Sequence, residues 1–168
     1  MNLLQTIAMA ALLAAKHSPS GTTNEHGGML YGHPSDFGPV VEYVEPTPGG
    51  SPTSVTVVDR SQLGPDDVLL GTYHVHLCME GYYHAYFSTT DVVTAILSGV
   101  PEFMLDECTG EVHEFDPHQD RVHDTGIDGT ICGPNGEALK RHLPSGRIIG
   151  NIHESEPLHS GPKGDKDC

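Results

Sequence analysis

The chain has 168 residues, enough for one compact domain and short for two. Eight Lys and Arg stand against 23 Asp and Glu, a formal charge of −15 that repels phosphate backbones and anionic lipid surfaces and argues against nucleic-acid and membrane-surface partners. Hydrophobic residues make up 36%, with 20 Gly and 13 Pro, which predicts a modest core carrying long loops.

Residues 3–16 are an Ala/Leu-rich run. Gln5 and Thr6 interrupt its apolar character and no basic segment precedes it, so it reads as a helix packed on the domain rather than a secretory leader. No run of 18 apolar residues occurs, so no membrane-spanning helix is expected. The expectation is a soluble chain, cytoplasmic or exported as part of a secretion-system effector. Residues 25–32 read as a strand, with Gly27 and Gly28 where a backbone or ligand approaches closely. Residues 34–39 form a turn, residues 40–44 a second strand, and the β-branched residues 54–58 predict a third. Residues 67–76 are a long apolar run of central-strand character. Ser88 to Asp91 opens a helix over residues 92–97, closed by Gly99 and Pro101. Residues 102–105 and 111–115 predict a hairpin around Cys108, Thr109 and Gly110. Further on, residues 137–143 predict a short helix and residues 147–152 a last strand. Residues 154–168 predict a disordered tail, which leaves residues 1–153 as the domain.

Four cysteines, Cys78, Cys108, Cys132 and Cys168, form no C-x-x-C pair, and a domain of this size does not need disulfides. Free thiols are expected. Twelve histidines are the odd feature of the composition, since each is a potential metal ligand or proton carrier. His113, His118 and His123 read as solvent-facing, and the acidic pairs Asp66-Asp67 and Asp106-Glu107 as solvated faces.

The chemistry concentrates in two short motifs. His74 and His76 are two apart in a predicted strand, so both side chains point to one face and address one ion without rearrangement. Asp91, in the first turn of the following helix, supplies a third ligand and leaves a fourth position for water, the layout of a catalytic zinc site. Each piece also has a plain structural reading. A strand can carry two histidines for packing, Ser88 to Asp91 is by itself a capping box, and Glu25 is by itself a solvated strand end.

Taken in chain order, Glu25-x-Gly27-Gly28-x-x-Tyr31, His74-x-His76 and Ser88-x-x-Asp91 resemble the motif of the JAB/MPN metalloproteases, also called JAMM. The Ala-rich helix at 8–15, with segments 25–28, 73–76, 87–91 and 115–117, is similar to a bacterial branch of that family found at the ends of Rhs-type and other large secreted proteins. The resemblance spans residues 3–117. It implies a single-domain α/β fold of the JAB/MPN, cytidine-deaminase-like kind, a mixed β-sheet flanked by helices. It implies Zn2+ as cofactor, held by His74, His76 and Asp91, with Glu25 as the acid/base and Ser88 stabilising the oxyanion. The implied activity is that of a peptidase or isopeptidase acting on a protein or peptide. A non-catalytic binding module of the same fold and a toxin domain with an unusual substrate are the alternatives. The chain departs from the family pattern in one stretch. Leu77-Cys78 stands where Pro is usual, and eleven residues, 77–87, separate His76 from Ser88. That longer loop either covers the site, selects substrates, or supplies His84 or Cys78 as a fourth ligand.

Overall fold

In chain order the structure, a computed structural model, contains helix α1 (Leu3–Lys16), strands β1 (His26–His33), β2 (Val40–Tyr43), β3 (Thr47–Pro48), β4 (Val68–His76) and β5 (Phe87–Ser88), helix α2 (Thr89–Ser98), and strands β6 (Glu102–Asp106), β7 (Glu111–Phe115), β8 (Thr130–Cys132), β9 (Ala138–Leu143) and β10 (Arg147–Asn151). It describes residues 1–16, 24–79, 85–120, 130–132, 138–143 and 146–152. The main sheet is mixed and runs β10-β7-β6-β4-β1-β2, with β3 added along β1. All its pairings are antiparallel except β4 with β6, which α2 connects as a crossover. A second, small sheet joins β5, β9 and β8. This is an α/β domain, with a mixed sheet and two helices, as the resemblance implies.

Strand alternation divides the core in two. On one face Leu30, Tyr73, Val75, Phe103, Leu105 and Val112 pack under α1, whose Ala8, Ala11, Leu12 and Ala15 form a fully buried stripe at helical spacing. The small alanines let the helix lie close to the sheet. On the other face Met104 and Phe115 pack with Phe87, Val92 and Ala95 of the β5–α2 segment. Gly27 and Gly28 serve the approach of backbone: a Cβ on Gly27 would meet the Tyr73 carbonyl and the His74 side chain, and one on Gly28 the Val44 carbonyl. No helix among the described residues is long and apolar enough to cross a membrane.

Several expectations are corrected. Residues 54–58 form no strand. Only an isolated bridge joins Ser51 to Ser54, because β1 is already paired with β2, β3 and β4 and offers the segment no edge. Residues 138–143 form strand β9 rather than a helix, since β5 and β8 provide partners on both sides and pairing overrides local propensity. Cys78 and Cys108 are joined in a disulfide rather than free. The parallel register that sets His76 against Asp106 carries on past the strand ends and brings positions 78 and 108 together. Asp106 is fully buried rather than solvated, where it accepts from the Cys108 amide and the Thr109 hydroxyl and caps the β6–β7 turn. His113 is also buried, because its place on β7 turns it onto the Met104 face of the sheet. His118 is exposed, its Nε2 2.9 Å from the Gly99 carbonyl oxygen. His84, His123 and the tail at 154–168 lie outside the described residues.

Candidate metal centre

Strand β4 places the two histidines. Tyr73 and Val75 face α1, so His74 and His76 face the α2 side, each about 1% exposed. Their Nε2 atoms lie 2.9 Å apart. Helix α2 brings the third group. Ser88 is its N-cap: the Ser88 hydroxyl accepts from the Asp91 amide at 3.1 Å, and Asp91 Oδ2 accepts from the Ser88 amide at 2.8 Å. The same Oδ2 stands 3.4 Å from His74 Nε2 and 3.3 Å from His76 Nε2. The capping role and the ligand role, which the sequence sets in competition, therefore fall on one oxygen.

Glu25 stands just before β1 and is 3% exposed, its Oε1 3.6 Å from His76 Nε2. Its backbone is pinned on both sides: its amide donates to Ser51 and its carbonyl accepts from Gly49. Next to it the His26 ring is buried between the carbonyls of Ala15 and Asn24, which ties the end of α1 to the start of β1. Glu25, His74, His76 and Asp91 are thus brought to one point, and Ser88 adjoins it through its cap. Cys78, engaged in the disulfide, is unavailable both as a fourth ligand and as a nucleophile beside His76.

Sequence reasoning missed Glu102. It opens β6, is 2% exposed, and sets Oε1 3.0 Å from His74 Nδ1. The only signal in the chain is an acidic residue at the head of an otherwise apolar strand, which is more commonly a solvated strand end.

Three carboxylates around two imidazoles set the local electrostatics. Burial disfavours a charged His74, but Asp91 and Glu102 outweigh it and hold His74 well above the ordinary histidine value. Burial also works against an ionised Asp91, and the two histidines more than reverse this, holding it well below the usual carboxylate range. For Glu102 burial wins: it is raised to about 7, with Asp91 and Glu25 adding to the rise and His74 opposing it.

The arrangement fits a divalent ion. Four ligands at zinc's usual bond lengths stand roughly 3.3 Å from one another in a tetrahedron. The two Nε2 atoms and Asp91 Oδ2 form a triangle of 2.9, 3.4 and 3.3 Å. Two nitrogens and a carboxylate oxygen are the donor set zinc prefers, and the surplus of acid groups offers the charge to balance it. A slot of about 70 Å³ adjoins the centre, lined among others by Glu25, Val55, Asp91, Thr94 and Glu102. The irregular segment 53–57 is one of its walls. A larger groove of about 430 Å³, among Gly32, Pro34, Val40 and Val68, holds none of these residues. Around this centre, Glu25 with His74 and His76, and His74 with Asp91 and Glu102, form two groups with ligand atoms within 4.8 Å of one another. A third such group, Asp106, Glu111 and His113, lies apart, and both Asp106 oxygens serve the hairpin turn.

Compared with protein-family models and with curated proteins, the sequence matches none of them.

Proposed function

We propose that the chain is a zinc-dependent amide hydrolase, a peptidase or isopeptidase acting on a protein or peptide. The observation that carries this reading is the triangle of His74 Nε2, His76 Nε2 and Asp91 Oδ2, with the buried Glu25 carboxylate beside it. His74, His76 and Asp91 hold the ion. When bound, zinc polarises a carbonyl and draws the pKa of a water towards neutrality. Glu25 accepts the proton of the attacking water and returns it to the leaving amine. The Ser88 hydroxyl accepts from the Asp91 amide and keeps its own proton to donate to a developing oxyanion. Asp91 is the most open of these groups, with 17% of its side chain exposed, and it marks the side from which a substrate enters.

The narrowness of the slot and the near-complete burial of Ser88 favour a second reading, a zinc-holding binding module without turnover. Metal analysis of protein purified without added zinc tests the shared part of both readings. One zinc per chain is expected, lost in His74→Ala and His76→Ala. No stoichiometric metal, together with a melting temperature indifferent to chelator, overturns both. Cleavage of a peptide library by the zinc-loaded protein separates the hydrolase from the module.

A further inference from the structure

Beyond the ligand set itself, and resting on the metal-centre reading, we infer that Glu102 is a positioning residue for His74: it keeps the ring's proton on Nδ1 and so leaves Nε2 free to bind the ion.

The fold leaves Glu102 little other purpose. β4 and β6 are parallel, with Thr72 opposite Glu102 and His74 opposite Met104. Thr72, His74 and Glu102 therefore rise from the same face of the sheet. Glu102 and His74 are each 2% exposed in their side chains. A buried carboxylate is costly unless it is paired, and an apolar residue would fill the same space beside Met104 and Phe115 at no such cost. What distinguishes Glu102 is its charge, and that charge is aimed at His74 Nδ1, 3.0 Å from Oε1. Its other oxygen, Oε2, has no hydrogen-bond partner among the described residues.

The chemistry of imidazole supplies the rest. A neutral ring carries one proton on one of two nitrogens. A proton on Nε2 would point into the triangle, towards His76 Nε2 and Asp91 Oδ2, and would block coordination. A carboxylate beside Nδ1 holds the proton on that same nitrogen, leaves the Nε2 lone pair free, and raises the ring's basicity as a ligand. The approach of Oε1 is oblique rather than in line, so the influence is that of a nearby negative charge as much as of a straight hydrogen bond.

The test uses the full chain, zinc ions alone as the probe, and three proteins: wild type, Glu102→Gln and Glu102→Leu. Zinc affinity is read by competition with a chelator, and the His74 Nδ1–H proton by its NMR resonance in the zinc-loaded state. Removing such an outer partner typically costs about 10–100-fold in metal affinity, which is the loss expected for Glu102→Leu. Glu102→Gln keeps an oxygen acceptor and should recover part of that loss. The Nδ1–H resonance should move upfield in Glu102→Gln and further in Glu102→Leu. Unchanged affinity and an unchanged resonance in both variants, whatever their melting temperatures, overturn the inference. Zinc bound through His74 Nδ1 also overturns it, since Glu102 would then be a ligand. If Glu102→Leu does not fold, the affinity and resonance of Glu102→Gln decide alone. A wild type that binds no zinc overturns the metal-centre reading itself, so the two failures are told apart.

Discussion

His74 and His76 are two residues apart on β4, so the strand turns both imidazoles the same way whatever the rest of the chain does. What they meet there is the work of residues distant in sequence, and each makes a separate chemical prediction. In the proposed reading Glu25 is the proton carrier rather than a ligand, and its replacement by the nearly isosteric Gln removes proton transfer alone. Glu25→Gln should keep full zinc content while turnover on any cleaved peptide falls by about 10²–10⁴-fold. Equal activity of the variant and the wild type would reassign the proton transfer to another group. A second prediction concerns pH in the metal-free protein. Glu102 is raised to about 7 in the fold against an ordinary 4.5, so the folded state holds that proton more tightly than the unfolded one. Its stabilisation is complete below the unfolded value and is lost as pH rises through the folded one, a change of about 3 kcal/mol between pH 4.5 and above 7. His74, also raised, adds a loss of the same sign at higher pH. Asp91, held low, gives up its contribution only in strong acid. Urea unfolding of the stripped protein across this window should show stability falling with pH, and Glu102→Gln should flatten the lower part. Zinc affinity should run the other way and rise with pH, because His74 must lose its proton to bind.

At the scale of elements, α2 does two things with one turn. Ser88 and Asp91 close its N-terminus, and Asp91 reaches the histidines with the oxygen that makes the cap. The two functions separate by mutation. Ser88→Ala loses half of the capping box, a cost of about 1 kcal/mol seen as a lower melting temperature, and keeps zinc. Asp91→Ala loses both cap and metal. Zinc loss in Ser88→Ala as complete as in Asp91→Ala would mean that the ligand position depends on the cap hydroxyl. Both helices were legible in the sequence because their signals are local. The Ser88 cap, Gly99 in the left-handed conformation at the C-terminus, and the Ala/Leu periodicity of α1 each lie within a few residues of what they control. Strands β1, β2, β4, β6, β7 and β10 were legible from apolar runs between turns. Segments 54–58 and 138–143 were misread because a strand exists only where a partner edge is offered. Neither β-branched composition nor helix propensity reports that.

Across the whole molecule, the Cys78–Cys108 disulfide ties the exit of the histidine strand to the β6–β7 hairpin across 30 residues of chain. Closing a loop of that length in the unfolded state is worth about 3–4 kcal/mol in the chain-entropy model. The paired substitution Cys78→Ser with Cys108→Ser should therefore lower the unfolding free energy by that order, and reductant should do the same to the wild type. An unfolding midpoint unmoved by reductant would show that the bond is not formed in solution.

By itself the sequence determined what short range controls: the helices and their caps, the alternation that aims His74 and His76 together, and the residue types suited to an ion and a proton carrier. The tertiary structure alone decided what depends on register between distant strands. The parallel pairing of β4 with β6 joins Cys78 to Cys108, buries Asp106, and sets Glu102 behind His74. Glu25 and Asp91 gain their places beside the histidines in the same way, from the loop that pins one beside β1 and the crossover that returns the other over β4. A side chain's chemistry is written in its type, but its pKa, its partner and its access to water follow from neighbours that sequence proximity does not name.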